Sequence, residues 1–410
     1  MKKNTAKILM LTACIILMLA FVSCYGNNSD DNSTSRDGED LYFELSLDGE
    51  SYSVIGIEET YIFPYKKIII PEEHLGKPVT EIKCLGSRNY LYESYFGEMS
   101  FSEYNYDLEY LEIPKSIKGI SYGMLDNCSK LKEVRVDKNN PYYKDIDGVL
   151  YTKNGSGLIC YPEARSNKSY QIPDSVTSIG GSAFSGCSSL ASIDIPDGVT
   201  SIGDSAFSGC SSLTSINIPN GVTKIGYSAF SGCSSLTSMV IPDSVTSIGD
   251  SPFEKCSKLN SISVGKNNGY YKSIDGNLYT IDGKTIIQYA PGKATTKFEI
   301  PNSVEKIGRS AFCGSSHLVS VVIPDSVTII GEHAFSNCSN LISVVIPDSV
   351  TWVESYAFTN CVNLTIYCEA ESEPHWGYDW DLNYSYTTNT TGAQSHDVYH
   401  SVVWDINPNN

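Results

Sequence analysis

A repeat of 23 residues dominates this sequence of 410 residues and limits what the chain can fold into. One whole copy, at 190–212, reads LASIDIPDGVTSIGDSAFSGCSS, and the next copy begins at Leu213. The dipeptide Ile-Pro marks this interval in two series, whose prolines are Pro173, Pro196, Pro219 and Pro242, then Pro301, Pro324 and Pro347. A fixed period of about 20 to 50 residues is the signature of a repeat architecture, in which each copy is one small structural unit.

The apolar positions within one copy predict a strand followed by a second extended segment. Ile193 and Ile195 are two residues apart, so their side chains point to the same side of a strand. Pro196 ends this strand because it has no N–H for a further ladder hydrogen bond. Val199 and Ile202 then predict a second short extended segment.

The rest of the copy predicts one turn of helix. Asp204 or Ser205 can cap a single α-helical or 3₁₀ turn that carries the apolar Ala206 and Phe207. No single copy can cover its own apolar face, but stacking places each apolar residue against its equivalent in the next copy. The sequence therefore predicts a solenoid of stacked copies, or rungs, and not two or three globular domains.

The ends of the predicted strands give the number of rungs. They fall at Ile70, Ile113, Val136, Ile172, Ile195, Ile218, Ile241, Val264, Ile300, Ile323 and Ile346. Leu364, which follows Leu341 by 23 residues, begins one more rung. About twelve rungs at roughly 4.8 Å each predict a sheet about 55–60 Å long.

The unit L-x-x-I-x-I-P is a variant of the leucine-rich repeat strand L-x-x-L-x-L. The fuller pattern I-P-x-x-V-x-x-I-G-x-x-A-F-x-x-C-x-x-L resembles the BspA-type leucine-rich repeat of bacterial surface proteins, over roughly residues 60 to 370. The resemblance implies a right-handed leucine-rich-repeat solenoid with a parallel β-sheet face. Together with the predicted short helical turns, it gives an α/β fold class. It also implies cell-surface or host-contact roles for many members, without specifying one ligand.

Two of the steps between rungs are 36 residues long and contain similar insertions. The insertion at 139–161 reads NNPYYKDIDGVLYTKNGSGLICY, and the one at 267–289 reads NNGYYKSIDGNLYTIDGKTIIQY. Each predicts a β-hairpin, because Asn-Gly and Asp-Gly favour two-residue turns with positive φ at both positions. The predicted hairpins are 149–152 with a turn at Asn154-Gly155, and 277–281 with a turn at Asp282-Gly283.

A longer step between Ile70 and Ile113 holds an aromatic-rich insertion. Exposed tyrosine is common in protein and sugar contacts, so this insertion is a candidate site for partner binding. The alternative is a flap that packs on the first rungs. The candidate binding residues are Tyr90, Tyr92, Tyr95, Phe96, Tyr104 and Tyr106.

On the predicted sheet face, the outward positions are mostly small or polar, as with Ser192 and Asp194. Val240, Val322 and Val345 are apolar where water is expected, which makes them candidate contact residues. The alternative is the ordinary β-propensity of valine on an exposed strand.

The first 24 residues predict a lipoprotein signal peptide. Lys2, Lys3 and Lys7 precede an apolar run over 8–22 that is too short for a comfortable transmembrane span. The string FVSC at 21–24 resembles a bacterial lipoprotein box, although its first position is usually Leu. The resemblance implies cleavage before Cys24 and lipidation of that cysteine. The alternative is a plain secretory signal with an incidental cysteine.

Composition divides the remainder of the chain. Residues 25–40 have almost no apolar side chains to bury and predict a flexible tether. The solenoid is expected over 41–370, with 41–70 as its N-terminal cap. Residues 371–410 hold three of the four tryptophans and predict a C-terminal cap or tail, because an open apolar end of a solenoid would aggregate.

The chain has thirteen cysteines, most of which follow the repeat. We expect the in-phase cysteines to form an inward ladder of buried, reduced thiols, since stacked side chains point in parallel and are poorly placed for bridging. They are Cys128, Cys187, Cys210, Cys233, Cys256, Cys338 and Cys361. Cys313 lies two positions early, and Cys84, Cys160 and Cys368 are also out of phase, so any disulfide is expected among these.

Charge and motifs exclude several classes of function. The formal net charge is −18, and loss of Lys2, Lys3 and Lys7 with the signal would make it −21, which argues against a nucleic-acid partner. Zinc spacings, complete calcium loops and phosphate loops are absent from the sequence. The enzyme-like strings at Ser205 and Ser303 exist because a repeat was copied, so we expect no enzyme activity and no cofactor.

These observations predict an extracytoplasmic solenoid, anchored to the membrane by its N-terminal lipid, that binds other macromolecules. Adhesion to a protein or glycan of a host or matrix is the expectation from the resemblance. The alternative is a structural or scaffolding envelope lipoprotein that binds a partner of the same cell.

Overall fold

Parallel strands stack along two ladders and make the chain a β-solenoid. The computed structural model describes residues 36–37, 41–57, 66–83, 108–125, 128–369, 382–383, 398–399 and 401–403. These residues belong to one compact unit that spans 35–410. The predicted stacking is confirmed, because Ile179 pairs with Ile202 and Ile202 pairs with Ile225, each at the interval of the repeat.

The first ladder contains the strands that precede the Ile-Pro dipeptides, together with the strands at the equivalent place in the other rungs. Its side chains alternate as predicted, with Ile193 buried between the exposed Ser192 and Asp194. Its strands form four parallel sheets: Arg36–Asp37, Lys67–Ile69, Tyr110–Ile113 and Glu133–Val136; Ser169–Gln171 and Ser192–Asp194; Ser238–Ile241 and Ser261–Val264; and Lys297–Glu299, Ser320–Val322, Ser343–Ile346, Thr365–Cys368 and Ser401–Val403.

The second ladder contains two-residue strands within the V-x-x-I segments, whose last residue points inward, as Ile202 and Ile225 do. Three antiparallel strands begin each of its two sheets. The strands are Tyr143–Ile146, Val149–Thr152, Gly157–Cys160, Ser178–Ile179, Ser201–Ile202, Lys224–Ile225 and Ser247–Ile248; then Tyr271–Ile274, Asn277–Thr280, Thr285–Gln288, Lys306–Ile307, Ile329–Ile330 and Trp352–Val353.

Two further sheets complete the strands of the described residues. In the first, Leu41–Leu45 pairs antiparallel with Tyr52–Ile57, both within the range 41–70, and Tyr52–Ile57 pairs parallel with Lys77–Ile82. Lys77–Ile82 also pairs with Glu73–His74 and Gly119–Ile120. The second sheet consists of Leu382–Asn383 and Val398–Tyr399 in an antiparallel pair.

The first ladder is interrupted at 214–218, where a strand was expected to end at Ile218. Ile216 and Ile218 still point inward and are buried. The Thr214 N–H donates to the Ala191 carbonyl at 3.2 Å, and the Thr214 carbonyl accepts from the Thr237 N–H at 3.4 Å. This rung therefore keeps its packing and its first hydrogen bonds without a regular strand.

The predicted helical turn is wrong, and the α/β class with it, because the described residues contain no helix. Ser205 and Gly209, four residues apart, have left-handed φ values of 53° and 73°, which no α-helix can contain. The segment bonds instead to the next rung. The N–H groups of Ser205 and Phe207 donate to the carbonyls of Tyr227 and Ala229 at 2.7 Å and 2.8 Å.

Stacked aromatic rings fill the core beside this segment. Neighbouring centroids along the two stacks lie 4.8–5.6 Å apart, and every ring is buried. The first stack is Tyr161, Phe184, Phe207, Phe230 and Phe253, and the second is Tyr289, Phe312, Phe335 and Phe358. The core thus continues from rung to rung without a central globular interior.

The in-phase cysteines are buried beside the aromatic stacks, as predicted. The Cys210 thiol donates to the Phe184 carbonyl, and the Cys233 thiol donates to the Phe207 carbonyl, each at 3.1 Å. Each thiol therefore satisfies a buried acceptor of the preceding rung, a role that the sequence pattern did not reveal. No disulfide joins the ten cysteines of the described part of the chain, and Cys84 lies outside it.

Replacement of a ring inside a stack is expected to destabilise the solenoid. Phe207→Ala removes contacts with Phe184 and Phe230, so we expect it to lower the free energy of unfolding by about 3–5 kcal/mol. Urea denaturation followed by circular dichroism measures this. Tyr122→Ala is the control, because Tyr122 is 76% exposed and its loss is expected to cost under about 0.5 kcal/mol. Equal losses in both variants would contradict the stacked core.

Alkaline pH is expected to destabilise the solenoid through its buried thiols. Burial raises the pKa of the Cys233 thiol to about 12 from an ordinary value near 9. The unfolded chain therefore loses this proton first, and stability that is complete below pH 9 declines as the pH rises from 9 towards 12. Each such thiol contributes a slope of about 1.4 kcal/mol per pH unit.

Urea denaturation at several values of pH between 8 and 11 tests this expectation, with Cys233→Ser as the comparison. Serine does not titrate in this range, so the variant is expected to lose less stability per pH unit than the parent. If the free energy of unfolding falls with pH at the same rate in both proteins, this thiol does not titrate on unfolding.

Candidate binding surfaces

The outward face of the C-terminal five-stranded sheet carries an apolar row. The register places Val322 beside Val345 and Val345 beside Tyr367 on adjacent strands. The Val322 and Val345 side chains are 45% and 39% exposed, and Tyr367 is half-buried. We call these three residues the valine row. Two of the predicted contact residues therefore lie side by side on one surface.

Small polar residues accompany the valine row. Ser320, Ser343 and Thr365 occupy the next outward position on the same strands, so the surface is flat along the three rungs. At one end of the sheet, Lys297 and Glu299 form an ion pair at 2.8 Å. At Val322 and Val345, between these small residues, a partner could approach the strands closely.

Val240 does not belong to this surface. It lies on Ser238–Ile241, which pairs with Ser261–Val264 in a separate sheet, and its register partner is Ser263. Its side chain is 60% exposed. Of the three predicted valines, Val322 and Val345 therefore lie side by side, and Val240 lies apart from them.

The remaining predicted site residues lie outside the described part of the chain. They are Cys24 and the aromatic residues Tyr90, Tyr92, Tyr95, Phe96, Tyr104 and Tyr106.

The N-terminal four-stranded sheet presents a charged outward face. Lys67 pairs with Glu112 at 2.7 Å, and Lys132 pairs with Glu109 at 2.6 Å. The hydrogen bond from Lys132 is the main cause of the lowered pKa of Glu109. An open groove of about 550 Å³ runs along this sheet near Arg135. The two ends of the first ladder therefore differ in chemistry, with paired charges at one end and the valine row at the other.

Each predicted hairpin is part of a larger unit, an antiparallel meander of three strands. We call 137–165 the first module and 265–293 the second. Within the first, Tyr143–Ile146 pairs with Val149–Thr152, which pairs with Gly157–Cys160. The second repeats this order with Tyr271–Ile274, Asn277–Thr280 and Thr285–Gln288. The predicted hairpins are present, and each module adds a strand before them.

The turns within the modules differ from the predicted ones. At Asp147-Gly148 both residues have positive φ, 49° and 76°, which is the two-residue turn expected for Asp-Gly. At Asn154-Gly155 only Gly155 does, with φ of 78°, and the loop spans 153–156. The Thr152 hydroxyl accepts from the Gly157 N–H at 2.8 Å and stabilises this longer loop.

A basic side chain closes each module. The Arg165 guanidinium donates to the Asp147 carbonyl and lies 5.4 Å from the Tyr161 ring centre. In the second module, Lys293 donates to the Asp275 carbonyl and lies 5.5 Å from the centre of the Tyr289 ring. The same two contacts therefore hold both modules against the aromatic stacks.

A buried asparagine shapes the entry loop of each module. In the second module, the Asn268 amide group donates to the carbonyls of Pro242 and Val245 at 2.8 Å and 2.9 Å. Its side-chain oxygen accepts from the N–H groups of Tyr270 and Tyr271, both at 2.9 Å. Asn140 makes the four equivalent bonds in the first module, to Pro114, Ile117, Tyr142 and Tyr143.

This loop projects one tyrosine from each module into solvent. Tyr142 is 47% exposed and Tyr270 is 54% exposed. The sequence predictions missed these residues, although the shared string KNN-x-YYK at 138–144 and 266–272 carried the signal.

Among the described residues, no group of three or more His, Cys, Asp or Glu side chains could hold a metal ion. Ser205 lies in a left-handed turn, and the Ser303 hydroxyl donates to the Gly283 carbonyl at 3.2 Å. Within the same residues, no helix has the length and apolar character to cross a membrane.

Several solved structures are similar to this chain. A leucine-rich cell surface protein from Faecalibacterium prausnitzii is 23% identical, with a TM-score of 0.41 over 84% of this chain and 89% of that one. The pneumococcal vaccine antigen PcpA is 17% identical, with a TM-score of 0.41 over 84% and 85%. A leucine-rich repeat protein from Bacteroides ovatus is 20% identical, with a TM-score of 0.34 over 86% and 91%.

A comparison with curated protein sequences finds no match. The family model described as the BspA type leucine rich repeat region matches six copies, at residues 91–146, 159–277 and 289–371. These ranges cover more than half of the chain, and they contain the valine row and most of both modules. The chain is therefore a member of the BspA-type leucine-rich repeat family.

Proposed function

We propose that this protein is a surface-anchored binding protein whose solenoid contacts macromolecules of a host or its matrix. The valine row is the observation that supports this most directly. Apolar side chains that lie side by side on an exposed sheet favour contact with another macromolecule. Membership of a repeat family whose copies stack into extended surfaces favours the same role.

A partner that covers the valine row would gain free energy from the burial of apolar surface. Val322 and Val345 both expose such surface, and its removal from water contributes about 25 cal/mol for each Å² buried. The serines beside them leave room for close approach and can hydrogen-bond at the rim of a contact. The ligand is a protein or a glycan. Nucleic acid is disfavoured by the charge of −18.

The proposed placement in the cell follows from the N-terminal sequence. Residues 1–24 serve as a lipoprotein signal, Cys24 carries the lipid, and 25–40 hold the folded part away from the membrane. The solenoid occupies 41–370, with 41–70 as its N-terminal cap, and 371–410 cap its other end. Tyr90, Tyr92, Tyr95, Phe96, Tyr104 and Tyr106 form a second contact region, and Val240 a separate contact point. The protein needs no cofactor for this role and has no catalytic one.

Loss of affinity on changing the valine row is the central test. A lysine in place of Val345 would place a charge in the contact, so we expect Val345→Lys to weaken binding to host cells or solubilised matrix at least tenfold. Val362→Lys is the matched control, because Val362 is an exposed valine in a turn outside the valine row. Surface plasmon resonance measures the affinities, and circular dichroism verifies folding.

Equal binding by the parent and by Val345→Lys would show that the valine row is not the contact. If the parent protein does not bind host cells or matrix but binds envelope proteins of its own cell, the alternative of a scaffolding lipoprotein is favoured.

Lipid anchoring is tested separately. In a bacterial host, the parent is expected to incorporate labelled palmitate and to remain with the membrane fraction. Cys24→Ala removes the thiol that would carry the lipid, so we expect this variant to appear in the soluble fraction without label. Cys14→Ala, within the apolar run of the signal, is the control and should behave as the parent. Membrane retention of Cys24→Ala would contradict the anchor.

A further inference from the structure

The two modules present the same exposed groups at two places on one solenoid. Both contain the string KNN-x-YYK, at 138–144 and 266–272. In each, the lysine and asparagine at the first two positions are exposed, and so is the first tyrosine. The lysine at the seventh position lies over a loop glycine of its own module. The Nζ atom of Lys144 is near Gly155, and that of Lys272 is near Gly283.

The two modules have both buried and exposed residues in common. Buried Asn140, Leu150 and Tyr151 recur as Asn268, Leu278 and Tyr279. Other exposed positions differ, with Ile281 in place of Lys153 and Asp282 in place of Asn154. The exposed lysine, asparagine and tyrosine of the string are therefore among the surface groups that the two modules share.

The solenoid fixes the distance and the relative orientation of the modules. The first-ladder strands that precede them are Glu133–Val136 and Ser261–Val264. Three strands and the segment at 214–218 lie between them, so the modules are five steps apart. Five steps of about 4.8 Å place them about 24 Å apart. Because the strands of these rungs run in the same direction, the second module repeats the first at a fixed number of rungs.

Two similar sites at a fixed spacing match a ligand that is itself periodic. We propose that the modules together bind a linear, neutral polysaccharide, with Tyr142 and Tyr270 each stacking on a sugar ring. An exposed tyrosine offers an apolar face and a polar hydroxyl to a sugar, and the adjacent asparagine and lysine side chains can hydrogen-bond its hydroxyl groups. The polymer presents the same sugar face again at a translated position, whereas a folded protein rarely does.

The charge of the modules is consistent with a neutral polymer. The first module, at 137–165, holds four basic side chains and four carboxylates, which cancel. The second module, at 265–293, holds four lysines and two aspartates, which leaves +2. Neither module offers the strong positive patch that an acidic polymer would need.

Binding of one polysaccharide molecule to both modules would raise the affinity without any new kind of contact. Once one tyrosine is bound, the second site meets the same polymer at a high effective concentration, which can raise avidity by about 10²–10⁴. This inference rests on the proposed function and names a ligand class for it, but it uses a different surface from the valine row.

Binding of the full chain to immobilised β-1,4-glucan, β-1,4-mannan and β-1,4-xylan tests the proposal. We expect retention on at least one, and at least a tenfold loss of affinity in both Tyr142→Ala and Tyr270→Ala. Oligosaccharides of that polymer shorter than about 24 Å cannot span the modules. They are therefore expected to bind the parent and the single variants with affinities within about twofold of each other.

Tyr122→Ala is the control, because this tyrosine is 76% exposed and belongs to neither module. The proposal is overturned if no polysaccharide retains the parent, if the single variants bind as the parent does, or if Tyr122→Ala loses as much affinity as they do. Loss of polysaccharide binding in Val345→Lys but not in the tyrosine variants would overturn the bivalent site and still support the proposed function. Loss of cell or matrix binding in Val345→Lys with intact polysaccharide binding would leave both proposals standing.

Discussion

No copy of the 23-residue unit can satisfy its own backbone or bury its own apolar residues, and the whole structure depends on this. Phe207 shows the dependence at one residue. Its N–H donates to Ala229 of the next rung, its carbonyl accepts from the Cys233 thiol, and its ring stacks between Phe184 and Phe230. Stability is therefore a property of neighbouring pairs of rungs, as the linear view of repeat proteins holds.

The same dependence explains how the modules are accommodated. Buried apolar residues form three clusters, and the borders between them fall at the two modules, near Val149 and Tyr279. At each border the module's own tyrosine, Tyr161 or Tyr289, begins the aromatic stack of the rungs that follow. A module thus adds exposed residues to the solenoid without leaving an open apolar face.

Much of the fold could be predicted from the sequence, because inward positions such as Ile193 and Ile195 recur at a fixed interval. The helical turn could not be excluded, since serine at position 205 carries no signal for a left-handed backbone; only contact with the next rung stabilises it there. Alternation also predicted an exposed Val322 and Val345, and the register made them neighbours. Tyr142 and Tyr270 were missed because their exposure depends on the loop that buried asparagines shape.

The uniform hydrogen bonding between rungs also has a consequence for how such a gene can change. Insertion or deletion of 23 codons between the modules would leave every remaining rung with an equivalent neighbour. Each such event would move Tyr270 away from or towards Tyr142 by one strand spacing, about 4.8 Å, while both modules keep their internal contacts. Recombination within the coding sequence can therefore change the distance between the two modules in steps of one rung.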